Sequence, residues 1–293
     1  MPIMHKYSVR SESNTIQAVM LYKPGPEVES VAEPQAVFYK SCINHKKIST
    51  EFDSMIETYR NLGIDVHLVE PNTPNRDDPG LLNLMFCRDL LFMTTAGAIL
   101  SNMKHWVRKD EPSYAQAVLS KLGIPIIHEI TAEGTFEGAD ALWITDTFVL
   151  IGVGNRTDNY GYQQTKSILN KLGINCECVR VPKGIQHLLG VLQMVDKDIA
   201  LVRTQIVDPD LISILESYDI NIIPIPETNE VTLSQAMNIV TVSPRHIIMP
   251  DDCPDTEQLY VNNDIVVVSK VKVNELRNGA GGLACATCIL SRS

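Results

Sequence analysis

Four residues of types that do chemistry together are spread along the sequence: a thiol at Cys285, an imidazole at His187, and carboxylates at Glu137 and Asp89. A thiol nucleophile needs a base or cation nearby to hold it as thiolate, and His187 is the partner the sequence offers. The imidazole in turn needs an orienting acceptor, which Glu137 could supply, giving a Cys–His–Glu arrangement of the generalised triad kind. Asp89, Glu137 and His187 stand 48 and 50 residues apart, in FCRDLLFM, FEGADALW and IQHLLGV. Cys285 ends GAGGLAC, where Gly281 and Gly282 allow a sharp bend or close backbone approach to a ligand.

Each residue also has a plainer reading. Asp89 could pair with Arg88, and Glu137 could accept in a turn made by Gly138. His187 could be a satisfied core histidine and Cys285 a small buried hydrophobe. Taken singly the plainer readings win; their shared register favours a site.

That register comes from a repeat. An amphipathic helix-like run, then Gly or Asp, then a β-branched strand recurs in MIETYRNLGIDVHLVEP, AQAVLSKLGIPIIHEI, TKSILNKLGINCECVRVP, LISILESYDINIIPIP and TEQLYVNNDIVVVSKV. The turn residues are Gly63, Gly123, Gly173, Asp219 and Asp264, at steps of 60, 50, 46 and 45 residues. Gly enters the left-handed region freely at a helix C-terminus, and Asp tolerates it better than most. Another strand candidate precedes each copy: IQAVMLYKPG, AGAILSNM, TFVLIGVG, DIALVR and RHIIMP. Helices alternating with short buried strands predict α/β architecture, and five copies without a linker predict one closed array spanning residues 1–293. The same edge of each unit would then face the axis, and the four residues would converge.

Other motifs are absent or weak. There is no GxxxxGK[ST] loop, no GxGxxG opening a helix and no HExxH. Gly152-Val153-Gly154 reads equally well as a turn. Cys176 and Cys178 are expected to face opposite ways on a strand and so not to clamp one ion together. Cys285 and Cys288 have CxxC spacing, but no second ligand pair for zinc is evident and no long helix follows to activate a redox pair.

Composition narrows the field. Of 293 residues 44% are hydrophobic and 20% charged, and the net charge is −10. No Lys/Arg stripe exists, which makes the chain a poor candidate for phosphate-backbone binding, and no nucleic-acid partner is expected; no run of about 18 apolar residues exists to span a membrane. The N-terminal MPIMHKYSVRSESNT lacks a signal-peptide core. An odd number of cysteines, seven, fits free thiols in a reducing cytoplasm. The acidic balance mildly suits a cationic small molecule.

At these residues the sequence resembles the guanidino-group-modifying enzymes of the amidinotransferase (pentein) superfamily, among them arginine deiminases, dimethylarginine dimethylaminohydrolases and amidinotransferases. The likeness runs from AVMLYKPGPEVESV to GGLACATCIL. It implies a single-domain, five-bladed ββαβ α/β-propeller. FCRD resembles the family's FxRD segment, which places Asp89 against a substrate guanidinium with Arg88 beside it. FEGAD resembles E/D-G-G-D with Ala139 for the second Gly, making Glu137 the partner of the catalytic His187. GVGNRTDNYG resembles GxSxRTNxxG, whose arginine, here Arg156, grips the substrate carboxylate, and GGLAC ends on the nucleophile Cys285. Arginine deiminases and amidinotransferases carry an Asp two residues after the histidine; here it is Leu189, as in the dimethylarginine branch, whereas Arg88 and GAGGL are more deiminase-like.

The resemblance implies a hydrolase acting on arginine or a methylated arginine through a thiouronium on Cys285, with a small guanidino molecule as partner and no metal or organic cofactor. Asp89 would bind two guanidinium N–H groups. Amidino transfer to an amine, arginine deimination, and a non-catalytic propeller like a translation initiation factor are the alternatives. Intact Asp89, Glu137, His187 and Cys285 speak against the last. The sequence leaves homo-oligomerisation open.

Overall fold

The computed structural model describes residues 6–71, 81–131 and 133–293. Residues 1–5, on which part of the N-terminal reading rests, lie outside the described residues.

Five three-stranded sheets follow one another along the chain. The first unit holds β1 (Ile16–Leu21), α1 (His45–Asn61) and β2 (Asp65–Leu68). The second holds β3 (Leu91–Met93), β4 (Ala98–Leu100), α2 (Glu111–Leu122) and β5 (Ile126–Glu129). The third holds β6 (Ala141–Thr145), β7 (Phe148–Val153), α3 (Asn159–Lys171) and β8 (Asn175–Arg180). The fourth holds β9 (Leu192–Asp196), β10 (Ile199–Val202), α4 (Pro209–Ser217) and β11 (Asn221–Pro224), trailed by the short α5 (Asn229–Thr232). The fifth holds β12 (Val240–Ser243), β13 (His246–Pro250), α6 (Pro254–Val261) and β14 (Val266–Val271). Then come α7 (Asn274–Asn278), α8 (Leu283–Ala286) and β15 (Cys288–Arg292).

In units two to five an antiparallel hairpin is followed by a helix and a parallel strand, the ββαβ pattern. Unit one takes its first strand from the far end of the chain: β15 pairs antiparallel with β1, Met20 opposite Cys288 and Ile16 opposite Arg292. The ring is therefore closed by the last strand, the α/β-propeller that the resemblance implied. The strand candidates read from composition are the middle strands of each sheet. The first strands of the hairpins were not among them.

A recurrent turn explains why the units repeat. Gly63, Gly123, Gly173, Asp219 and Asp264 all have positive φ, between 56° and 76°. Beyond each, an isoleucine N–H (Ile64, Ile124, Ile174, Ile220, Ile265) reaches back to the carbonyl of Tyr59, Leu119, Leu169, Leu215 or Tyr260 at 2.9–3.1 Å. Those helical residues are fully buried and the isoleucines nearly so. This is the Schellman closure with its apolar contact, and it folds each outer strand back beside its helix. Helix α1 buries Ile48, Phe52, Met55, Ile56 and Tyr59, one face at helical spacing. Truncating Phe52 to alanine would cost about 3–5 kcal/mol.

Candidate active site

Each chemistry-bearing residue lies just ahead of an inner strand. Asp89 sits in the 3-10 turn Cys87–Leu90 before β3, and Glu137 precedes the turn Gly138–Asp140 before β6. His187 precedes the turn Leu188–Gly190 before β9, and Cys285 lies in α8 before β15. These segments pack against one another around the axis. The repeat register thus brings Asp89, His187 and Cys285 to one cleft, with Glu137 fully buried behind it against His187.

The cleft has two lobes that meet at Gln186, His187, Ala280 and Cys285. A narrow lobe of about 20 Å³ is walled by Phe38, Asn83, Asp89, Arg108 and Arg156. A wider lobe of about 210 Å³ is walled by Leu189, Arg203, Thr232, Gln235, Met237 and Asn238.

His187 Nε2 is 2.7 Å from Glu137 Oε2, and its Nδ1 lies 3.8 Å from Asp89 Oδ1. Burial works against the imidazolium, but the charge of Asp89, the hydrogen bond to Glu137 and the charge of Asp140 outweigh it and lift His187 to about 9. Burial alone would raise Glu137; the bond to His187 and the charges of His187, Arg108 and Arg156 hold its carboxyl well below the usual range. Glu137 is completely buried, and the Lys104 N–H also donates to its Oε1 at 3.2 Å. The two shifts run in opposite directions and both favour an imidazolium–carboxylate pair, with the ring oriented by Glu137.

Arg108 went unnoticed in the sequence. It is buried, donates through NH1 to Asp89 Oδ2 at 2.6 Å, and forks onto Glu111 through Nε and NH2 at 2.8–3.0 Å. Asp89 therefore pairs with Arg108 rather than with Arg88, and one of its two oxygens is already taken. Oδ1 is buried without a hydrogen-bond partner among the described residues. The two-point clamp expected of Asp89 becomes a single open acceptor. Burial lifts Glu111 to about 7 despite the arginine.

Arg88 turns away from the cleft. Its NH2 donates to Glu12 Oε1 at 3.0 Å and to the Ala141 carbonyl at 3.3 Å, in a separate pocket with Gln193 and Arg292. Adjacent residues of a 3-10 turn diverge by a third of a revolution, so Arg88 and Asp89 cannot both face the same opening. Arg88, expected beside Asp89 at the substrate, is accordingly not a wall of this cleft.

Arg156 does face it. Its guanidinium lies 5.2 Å over the Phe38 ring, NH2 donates to Gln186 Oε1 at 3.3 Å, and NH1 has no hydrogen-bond partner among the described residues. NH1 stands 3.7 Å from Glu137 Oε1.

A second carboxylate of FEGAD, Asp140, ties the segments together. Its Oδ2 accepts from Thr157 Oγ1 at 2.7 Å and its Oδ1 from the Leu188 N–H at 2.9 Å, while Thr157 Oγ1 accepts from the Glu137 N–H at 3.2 Å. Gly152 lies within β7, not in a turn, and a Cβ there would meet Leu188 and Asp140 at 2.8 and 3.0 Å. Its missing side chain admits the His187 segment.

Gly281 and Gly282 are needed for close packing against protein. A Cβ at Gly281 would lie 2.2 Å from the Phe86 ring, and one at Gly282 would lie 2.7 Å from the Asn238 amide. Asn238 Nδ2 donates to Cys285 Sγ at 3.1 Å. Burial and the nearby Asp89 charge push the Cys285 thiol up, and the Asn238 hydrogen bond and the Gly282 N–H pull it down. Cys288, by contrast, is buried on β15, and burial pushes its thiol up to about 12. All seven thiols are free, with Cys176 buried and Cys178 exposed; two apart in the unbroken β7–β8 register they share one face of the sheet, which corrects the expectation that they face opposite ways.

Ligand atoms of Asp89, Glu137 and His187 lie within 4.8 Å of one another. Arg108 NH1 already faces both carboxylates, at 2.6 and 3.8 Å, so a cation would have to displace a guanidinium there. Among the described residues no helix is long and apolar enough to cross a membrane.

The family profile described as N,N dimethylarginine dimethylhydrolase, eukaryotic, matches residues 32–292. The chain is 27% identical over 292 residues to the uncharacterized protein YkgA of Bacillus subtilis, covering 98% of this chain and 96% of that one. It is 26% identical over 242 residues to the N(G),N(G)-dimethylarginine dimethylaminohydrolase of Pseudomonas aeruginosa, covering 83% and 88%. Among solved structures it resembles a mutant of the Pseudomonas aeruginosa enzyme complexed with citrulline, with TM-score 0.76 at 22% identity over 94% of this chain and 100% of that one. It also resembles SxtG, an amidinotransferase of Microseira wollei, with TM-score 0.76 at 14% identity over 98% and 97%. The chain belongs to the N,N-dimethylarginine dimethylhydrolase family, within the amidinotransferase (pentein) superfamily of guanidino-modifying enzymes.

Proposed function

We propose that the protein hydrolyses the guanidinium group of arginine or a methylated arginine, forming citrulline. The observation that carries this reading is the open Asp89 Oδ1, buried 3.8 Å from His187 Nδ1 in the cleft that Cys285 lines. A cationic, planar N–H donor would satisfy that oxygen in the narrow lobe, and Arg156 NH1, paired with Glu137 at 3.7 Å but without a hydrogen-bond partner among the described residues, is suited to a substrate carboxylate.

A cation placed between Asp89 and Cys285 favours the thiolate over the thiol, offsetting the burial that raises it in the empty cleft. Sulfur attacks the central carbon. As the C–S bond forms, a C–N bond breaks and the His187 imidazolium protonates the departing amine. The neutral imidazole, held by Glu137, then takes a proton from water; hydroxide adds to the carbon, the C–S bond breaks, and the urea-type product leaves. Leu189 in place of a second carboxylate leaves an apolar wall beside Cys285, compatible with methylated nitrogen.

Incubation with arginine, dimethylarginines, citrulline and agmatine, followed by assay of citrulline, ornithine, ammonia and methylamines, tests the proposal. Citrulline with release of dimethylamine or ammonia is expected; failure to consume any guanidine would refute it. The wider lobe supports a second reading, amidino transfer, because it offers an amine acceptor room next to Cys285. In that case product formation requires an added amine.

A further inference from the structure

The position ahead of the inner strand carries Asp89, Glu137, His187 and Cys285 in four places around the ring. In the remaining place, ahead of β12, stands Asn238, 51 residues after His187 and 47 before Cys285. It lies two residues before its strand, as Asp89 does. Its amide is used at both ends by one short segment: Nδ2 donates to Cys285 Sγ at 3.1 Å, and Oδ1 accepts from the Ala284 N–H at 2.7 Å and the Cys285 N–H at 3.4 Å.

We propose that Asn238 is the positioning residue of the nucleophile, aiming the Cys285 sulfur into the cleft and stabilising it as thiolate. This rests on the reading of Cys285 as nucleophile.

The chemistry of the contact selects an amide. Sulfur needs a donor and the two backbone N–H groups need an acceptor, and only a side chain with one of each serves both. Aspartate would offer acceptors alone and set a negative charge against the thiolate; leucine, of similar size, would offer neither. The surroundings are built for the contact. Gly282 leaves room for the amide, since a Cβ there would sit 2.7 Å from Asn238 Cγ. The Gln235 carbonyl accepts the Asn238 N–H at 2.8 Å, with Gln235 itself in the left-handed region at φ 53°. A non-glycine residue there is strained, so the turn that delivers Asn238 is held by its surroundings. Charged groups around the sulfur do not substitute for the amide. Asp89 opposes the thiolate, Arg108 supports it but is committed to Asp89 and Glu111, and His187, also lining the cleft, is turned to Glu137.

The test compares the full-length protein with Asn238→Leu, Asn238→Asp and Gly282→Ala. Each is checked for folding by circular dichroism, then alkylated with iodoacetamide across pH, with modification of Cys285 quantified by peptide mass spectrometry. Loss of the amide contact should move the alkylation profile to higher pH by about one pH unit in Asn238→Leu, and further in Asn238→Asp. Turnover should fall roughly 10²-fold in kcat with KM within about threefold. Gly282→Ala, which keeps Asn238 in the chain but pushes its amide away from Cys285, should shift the profile in the same direction and carries the test if the Asn238 variants do not fold. An unchanged Cys285 profile in the folded variants overturns the proposal. Full turnover by Cys285→Ser would instead overturn the nucleophile reading, while the alkylation profile would still report on the Asn238 contact.

Discussion

From Asp89 to His187 the cleft is lined and backed by ionisable side chains: four carboxyls, at Asp89, Glu111, Glu137 and Asp140, against Arg108, Arg156 and His187. From Leu189 to Cys285 the wall is largely neutral, with Thr232, Gln235, Met237 and Asn238, and its Arg203 is forked onto Glu227 at 2.8 and 2.5 Å. The first wall is ordered by ion pairs between distant segments. The second is ordered by backbone approach at Gly281 and Gly282 and by one amide. Under the proposed hydrolysis this division has a use: the charged wall recognises and orients a cation, while the neutral wall supplies the sulfur with an amide donor that offsets the nearby Asp89 charge.

The division can be broken from either side. Removing the nucleophile, Cys285→Ser, should abolish turnover and leave the circular dichroism spectrum unchanged; more than a few per cent of wild-type activity contradicts the assignment. On the charged wall, Glu137→Gln should lower kcat by roughly 10²–10³-fold. It should also move the alkaline limb of the kcat/KM profile, which in the wild type is expected to fall as His187 loses its proton near pH 9, to lower pH. The sign follows from the raised imidazole. His187 stabilises the fold fully below its ordinary value of 6.5, and that stabilisation is lost as pH rises through about 9. Glu137, held well below its ordinary 4.5, contributes only above that value and loses its contribution as pH falls. Thermal melts of the wild type and Glu137→Gln should therefore differ most between about pH 4.5 and 6.5 and draw closer as pH rises through about 9; a constant difference speaks against the pair.

Gly281→Ala probes the neutral wall by packing alone. A Cβ 2.2 Å from Phe86 should cost about 1–3 kcal/mol in denaturant unfolding and reduce turnover several-fold by shifting the segment that carries Cys285. The smallest effect on turnover is expected for Arg88→Met. It stands outside the cleft, so kcat and KM should stay within about threefold while stability falls about 2–4 kcal/mol as Glu12 loses its partner. A large rise in KM would return Arg88 to the substrate.

Much of this was legible from local chemistry. The Gly or Asp turns followed by isoleucine mark five helix ends because the left-handed position and its apolar contact are local requirements. The shared register of Asp89, Glu137 and His187 carried over because equivalent loops of a ring face one axis. The inner strands were harder: β3 is three residues, LFM, with no alternation to read. Arg108 looks like an ordinary residue ahead of a helix, and its role exists only once Asp89, 19 residues away, folds against it. The neighbours Arg88 and Asp89 part company for a geometric reason that residue type does not express. Asn238 was within reach, because its place follows from the same spacing; an amide draws less notice than a thiol or an imidazole.

The central claim is that Cys285 carries the amidino carbon during turnover. Rapid acid quench of the wild-type protein with its guanidino substrate, followed by peptide mass spectrometry, tests it most directly. A transient mass increase on the peptide at Cys285, absent from Cys285→Ser and decaying as product appears, is the expected result. Turnover with no such adduct, or an adduct on Cys288, would contradict it.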